Sequence, residues 1–243
     1  MKILVCISQV PDTTTRISFN GNAFNATGVQ FIINPYDEIA LTRAIELKET
    51  LGGSVTAITV GKADTEANLR KALAIGADDA IRVNTDANDA YFVAAQIADV
   101  AKKNGYELVL LGKESIDYNG SQVGSMIAAM MDVPFIGMST RLAIEGNNAS
   151  LDREIEGGKE VLATALPLVA SAQKGMAEPR IPNMRGIMSA RTKPLQVLEP
   201  AAADNLTAVI SYEMPPAKAA CKMVPADNPA QLIELLHNEA KVI

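Results

Sequence analysis

Along the first half of the chain, short apolar blocks alternate with longer stretches whose apolar residues recur three and four positions apart. Residues 2–7 (Lys-Ile-Leu-Val-Cys-Ile) form one such block and predict a buried strand. Phe31, Ile32 and Ile33 predict a second short strand. Asn34-Pro35-Tyr36-Asp37 then opens a helix: Asn34 can cap, Pro35 suits the first helical position, and Asp37 favours the positive end of the dipole. Ala40, Leu41, Ala44, Ile45, Leu47 and Leu51 follow at helical spacing, and Gly52-Gly53 stops the helix. The alternation repeats with a strand over 54–60, a helix over 64–75 ended by Gly76, and a strand over 80–83. A helix over 89–103 backed by Gly105 and a strand over 108–111 complete it. This rhythm predicts an α/β fold with a doubly wound, mostly parallel sheet, whose ligands bind beyond the carboxyl ends of the strands.

The pattern changes after Pro134. Residues 142–145 and 151–156 read as short strands around a hairpin turn at Asn147-Asn148, and 161–166 and 168–171 add extended segments. Prolines at 179, 182, 194 and 200 break any periodicity between 178 and 200. Pro215, Pro216 and Pro225 continue the punctuation before an amphipathic stretch at 229–241 that predicts a last helix. The expected organisation is an α/β domain over 1–195, which includes a β-hairpin region and an irregular loop at about 177–194, then an extended C-terminal arm and helix over 196–243.

Composition narrows this picture. Hydrophobic residues make up 48% of the chain but aromatics only 4%, with no Trp, so the core is aliphatic and Met-rich, as buried parallel strands require. A formal net charge of −6 argues against nucleic acid. No apolar run approaches the ~20 residues of a membrane span. Met1-Lys2 is followed by only the five apolar residues Ile3 to Ile7, so no signal peptide is expected and the chain reads as cytoplasmic. Two cysteines, Cys6 and Cys221, and one histidine, His237, leave little material for a disulfide framework, a metal site or a Cys–His pair. His237 reads as a helix-surface residue, Cys6 as a small packing residue, and Met126, Met130 and Met131 as core. No catalytic residues and no metal are expected.

The richest chemistry lies where the strand ending at Gly112 passes through a polar loop into an Ala/Met helix. Gly120, Ser121 and Gly124 let backbone N–H groups approach an anion at the helix start, and Asp117, Asn119 and Gln122 can hydrogen-bond ribose or base edges. An ordinary strand–turn–helix connection has a similar composition, and the segment matches neither G-x-G-x-x-G nor the P-loop.

Six blocks carry a resemblance. They are Val5-Cys-Ile-Ser-Gln-Val-Pro-Asp-Thr13, Asn34-Pro-Tyr-Asp-Glu-Ile-Ala40, Ala72-Leu-Ala-Ile-Gly-Ala-Asp78, Leu111-Gly-Lys-Glu-Ser-Ile-Asp117, Arg153-Glu-Ile-Glu-Gly-Gly158, and Pro179-Arg180 followed by Ile187-Met188. In this order, from Met1 to about Val197, the chain resembles the beta (small) subunit of electron transfer flavoproteins. The resemblance implies a Rossmann-like, adenine-nucleotide-binding fold without catalytic residues of its own, in a heterodimer with an alpha subunit that carries most of an FAD site on a mobile domain. Electrons would pass from acyl-CoA-type dehydrogenases of fatty acid oxidation to a quinone oxidoreductase or another acceptor. The small subunit would bury AMP or, in the electron-bifurcating branch, a second FAD; AMP is the expected occupant here and FAD the alternative. The implied pocket uses Cys6, Asn34, Thr59, Val60 and Gly61, with an anion-binding loop at Asp117, Asn119, Ser121, Gln122, Val123 and Gly124. Ser8 stands where many members have Lys, and Val123 where the AMP branch often has Thr, so backbone N–H groups with Ser121 or Ser125 are expected to compensate.

Partner contacts are implied in two places. The charge alternation from Arg153 to Glu160 reads as a solvated hairpin edge, and the resemblance also makes Glu160 an electrostatic latch for the flavin domain. The segment 177–194 would anchor dehydrogenases through Met184, with Ile187 beside it and Arg185, Arg191 and Lys193 steering acidic partners. Two other classes compete: a stand-alone stress-type nucleotide sensor, and an adenylating enzyme, for which a phosphate-binding signature and a catalytic cluster are lacking.

Overall fold

The run from Ile3 to Cys6 is apolar on both sides of the pleat, and in β1 (Lys2–Cys6) all four of these residues are buried. The computed structural model in which this is seen describes residues 1–87, 89–218 and 220–243, which divide into two compact units, Met1–Ile210 and Ser211–Ile243. In the first unit, β1 leads into two small antiparallel ribbons, β2 (Gln9–Pro11) with β5 (Phe31–Ile33) and β3 (Phe19–Asn20) with β4 (Ala23–Phe24). Then come α1 (Pro35–Leu51), β6 (Ser54–Val60), α2 (Glu66–Ile75), β7 (Asp79–Val83), α3 (Ala90–Asn104), β8 (Leu108–Gly112) and α4 (Val123–Met131). The remaining elements are β9 (Phe135–Glu145), β10 (Asn148–Ile155), β11 (Gly158–Ala165), β12 (Leu168–Ala172), α5 (Met184–Ala190) and β13 (Leu195–Leu198).

A nine-stranded sheet with the order β11-β10-β9-β12-β8-β1-β6-β7-β13 results, antiparallel only in the pairings of β10 with β9 and β11. Two aliphatic cores lie on its two faces. Ile3 and Val5 of β1 pack in one cluster with Leu41 and Ala44 of α1 and Leu69 of α2, whereas Leu4 and Cys6 pack in the other with Ala94 and Ile97 of α3 and Ile127 of α4. The chain moves outward from β1 to β6 and β7, then returns to place β8 on the other side of β1. The β1/β8 boundary is thus the point where strand order reverses and connections leave toward opposite faces, the usual site of a ligand crevice.

The doubly wound, mostly parallel sheet matches the sequence expectation, and β6 spans the expected 54–60. The details differ in four places. The strand at 31–33 stays out of the main sheet and pairs with β2. The extended segment at 168–171 is a fully buried central strand, inserted in parallel between β8 and β9. Its side chains are small enough for helices to cover it, and burying each Leu or Val contributes roughly 1.5–3 kcal/mol. The hairpin turns at Gly146, whose φ of 59° suits a residue without Cβ, and β10 already begins at Asn148. The segment 177–194 is not an irregular loop throughout: it contains α5 and leads into β13, which adds a parallel edge strand to β7.

α5 is short, so what holds it is side-chain bonding to α2. Asn183 caps it through Gly186 N at 2.8 Å, and Arg70 of α2 donates to the carbonyls of Ala190 and Lys193, both at 2.8 Å. Lys193 donates to the carbonyls of Leu73 and Ala77 at 2.9 and 2.6 Å, which satisfies the C-terminal end of α2. A Cβ on Gly186 would lie 2.3 Å from the Ala74 carbonyl oxygen, so the two helices meet backbone to side-chain-free backbone. The second unit contains α6 (Pro229–Glu234), capped by Asn228, and a π-helical turn at Leu235–Ala240, and none of these residues is buried. His237 is exposed there, as expected.

Two substitutions test this packing. A Cβ at Gly112 would sit 2.5 Å from Tyr36 Cβ, so Gly112→Ala is expected to lower stability by about 2 kcal/mol in urea unfolding, the scale of an overpacked core. Arg70→Met removes both anchors of α5, and limited trypsin digestion is then expected to cleave after Arg185 and Arg191 several-fold faster than in the wild type, without a shift in cleavage elsewhere.

Candidate functional site

The carboxyl ends of β6, β1 and β8 lie side by side, and a set of short bonds ties them together. Ile7 N donates to Ile58 O at 2.8 Å and Thr59 Oγ1 to Ile7 O at 2.7 Å, so the β1 and β6 ends are fastened by backbone and hydroxyl alike. Gly61 N continues the ladder to Val83 O at 3.0 Å, and the buried guanidinium of Arg82 donates to Gly61 O at 3.1 Å while pairing with Glu66 at 2.9 Å. Cys6, Thr59, Val60 and Gly61 are therefore gathered as a buried floor. Burial pushes the Cys6 thiol well above its ordinary range, with the nearby Asp37 carboxyl adding to the effect, so this sulfur stays protonated and packs as a small apolar group.

The opposite wall is built by the first turn of α1. Asn34 occupies the capping position, but its side chain makes no cap: Nδ2 donates to Glu114 O at 2.8 Å and Oδ1 accepts from Ile116 N at 3.3 Å. The expected cap is thus spent on the loop after β8. Asp37 is also more than a dipole partner. It is 3% exposed, and its carboxylate accepts from Ser8 N and Gly112 N, each at 2.7 Å. Sequence reasoning gave Asp37 only a role at the positive end of the helix dipole and missed this bridge; its position three residues after Asn34 gave no sign of where the side chain points.

The loop between β8 and α4 is exposed or half-buried along its length. Asn119 and Ser121 both take left-handed backbone conformations, with φ of 53° and 52°, on either side of Gly120. Such conformations are uncommon for residues with a Cβ and concentrate where a surrounding structure has a use for them. Tyr118 lies over Gly120, where a Cβ would be 2.4 Å from its ring. Lys113 is paired with Glu114 at 2.9 Å and sits 5.0 Å above the Tyr36 ring, which holds the Glu114 carboxyl below its usual range. Asp117 is hydrogen-bonded by Ser115 Oγ, and Asp117, Asn119, Ser121 and Gln122 are all exposed along the loop.

At the start of α4, Gln122 holds the capping position without a side-chain cap, so the N–H groups of the first turn point outward from the sheet's carboxyl end. The neighbouring side chains make contacts within the chain. Ser121 Oγ donates to Lys113 O at 3.0 Å and Ser125 Oγ to Gln122 O at 2.9 Å, so both hydroxyls already donate within the chain. Val123 packs its side chain against the core shared by α3 and α4, and Gly124 is buried where a Cβ would strike Phe135 at 2.8 Å. What the turn offers an anion is backbone N–H and the helix dipole. Met126, Met130 and Met131 are half-buried against the same core.

The residues singled out for partners lie elsewhere. Glu160 is on β11, the sheet's edge strand, directly across from Arg153, with which it forms an ion pair. On α5, Met184 is 74% and Ile187 41% exposed, and Met188 and Ile181 extend the apolar ridge. Arg185 and Arg191 flank it in solvent, but Lys193 is occupied by the α2 carbonyls and does not join them. Among the described residues, no helix is long and apolar enough to cross a membrane.

Comparison with known proteins gives the family. An electron transfer flavoprotein domain matches residues 21–203. The chain is 38% identical to the electron transfer flavoprotein subunit beta of Bacillus subtilis, with all of both chains covered. It is 35% identical to that of Syntrophomonas wolfei, over 100% of this chain and 98% of the relative, and 35% identical to that of Homo sapiens, over 90% and 91%. With similarity of this extent, the chain belongs to the electron transfer flavoprotein beta-subunit family.

Proposed function

We propose that the chain is the nucleotide-holding small subunit of a heterodimeric electron transfer flavoprotein, a cytoplasmic electron carrier component with no catalytic residues of its own. The observation that supports this most is the uncapped start of α4 beside the left-handed turns at Asn119 and Ser121, set at the β1/β8 reversal of the sheet. An adenine nucleotide fits there with its base over the buried floor of Cys6 and Thr59–Gly61 and its phosphate at the α4 amides. Asp117, Asn119 and Gln122 are exposed on the loop and available to ribose or base. We take AMP as the occupant; because Ser121, Ser125 and Val123 have their side chains committed within the chain, the phosphate is held by backbone amides. The flavin, carried mainly by an alpha subunit, supplies the electron chemistry when bound. This chain's part is to support that domain, with Glu160 and the β11 edge facing it, to offer the apolar ridge on α5 to acyl-CoA-type dehydrogenases, and to pack residues 196–243 along the alpha subunit.

The test is to co-express the chain with its large subunit, denature the purified complex and identify what is released. One FAD and one AMP per heterodimer are expected. Two FAD would replace AMP with a second flavin, the bifurcating arrangement, and a nucleotide-free chain that stays apart from the large subunit would end the proposal. The α5 ridge is tested separately. Met184→Asp is expected to raise the KM for a partner dehydrogenase about tenfold, the effect of losing one exposed apolar anchor, with flavin content unchanged.

A further inference from the structure

The Asp37 carboxylate is buried, and among the described residues no cation lies against it. Oδ2 accepts from Ser8 N, just beyond β1, and Oδ1 from Gly112 N, the last residue of β8, both at 2.7 Å. A Cβ on Gly112 would lie 2.6 Å from Oδ1, so the bridge closes only because that position is glycine. The groups around it are the Cys6 thiol from β1 and the Tyr118 phenol from the loop, both neutral at ordinary pH. On α1 itself, Glu38 is paired with Lys71 at 2.5 Å. The loop cation Lys113 is paired with Glu114. An unpaired buried carboxylate is costly to stability, and a group kept in a crevice at such a cost is a candidate for a functional role.

We propose that Asp37 is the positioning residue of the nucleotide crevice: its ionised carboxylate accepts from both strand-end amides at once and so fixes the β1-to-β8 gap over which the loop bearing Asn119–Gly124 is hung. This rests on the nucleotide-binding reading of that crevice. Asn34, from the same turn of α1, fastens the start of the loop to the same bracket. Protonation would leave one of the two oxygens a neutral hydroxyl, a weaker acceptor than the carboxylate, and so loosen the tie to one strand end.

Burial pushes Asp37 up to about 6, against the opposing hydrogen bonds from Ser8, Gly112 and Asn34. The folded chain therefore binds a proton more readily than the unfolded one. The stability contributed by this group is full below the ordinary aspartate range and is lost as pH rises through about 6. Nucleotide retention runs the other way and is best where Asp37 is ionised. A purely structural carboxylate would not separate the two.

Equilibrium binding of AMP to the full-length chain and to Asp37→Asn, compared from pH 5 to pH 8, tests the proposal. The Asn side chain mimics the protonated acid, and taking the ratio of the two affinities cancels the ionisation of AMP itself. The affinities are expected to converge near pH 5, with the wild type about tenfold tighter near pH 8, the scale of one charge-assisted hydrogen bond. A ratio that is unity or constant with pH overturns the proposal. The wild type supplies a second readout that does not need the variant to fold: the Ser8 and Gly112 amide resonances should shift with pH at a common midpoint near 6, and resonances that stay fixed would equally overturn it. If the wild type binds no AMP at any pH while these amides still titrate, the nucleotide reading fails and the positioning role falls with it.

Discussion

Parallel strands that leave a sheet toward opposite faces open a crevice between their ends, and nothing in the ladder itself keeps the crevice at a fixed width. Here the first turn of α1 does so. Asp37 holds the ends of β1 and β8 by their backbone amides, Asn34 holds the loop beyond β8, and glycine at 112 lets the turn approach closely enough for both. The uncapped start of α4 and the left-handed residues at 119 and 121 are presented at the mouth of this bracket. A buried floor, a loop with left-handed turns and open backbone donors are the parts a nucleotide site needs.

The same economy of charged groups organises the far side of the molecule. Arg70 and Lys193 are spent on carbonyls, one at the end of α5 and one at the end of α2. That fixes a seven-residue helix too short to be stable by itself and leaves its apolar residues facing solvent. A ridge held this way can receive a partner with little ordering cost, because its backbone is already in place. The contrast with the second unit is clear: its helix and π-turn have no buried residues, so whatever organises their apolar side chains does not come from within those elements.

Much of the fold was legible because the strands of the first half are dense apolar runs with glycine or a capping residue at their ends. Ser54–Val60, ended by Gly61, could be read to the residue. The central β12 was harder: Leu168–Ala172 is only five residues long, follows a hairpin of ordinary edge character, and gives no hint that the chain returns to the middle of the sheet. α5 was missed because Gly186 and Ser189 interrupt its pattern and only Ala190 is buried, although Asn183 was a capping signal. β13 was hidden behind Pro194. Within the site, resemblance supplied which residues to examine but not what their side chains do. Val123 turns to the core, Gly124 makes room for Phe135, Asn34 leaves its cap, and Asp37 reaches across two strand ends. Each of these is a tertiary contact between different elements, and no local pattern encodes it.

The central claim is that the crevice at the β1/β8 reversal holds an adenine nucleotide through backbone amides, and an experimental structure of the native complex tests it most directly. The account predicts density for an adenine nucleotide between the strand ends and the 113–124 loop, its phosphate within hydrogen-bonding distance of the first-turn amides of α4. An adenine nucleotide located elsewhere, or a fully occupied complex in which water alone meets those amides, would contradict it.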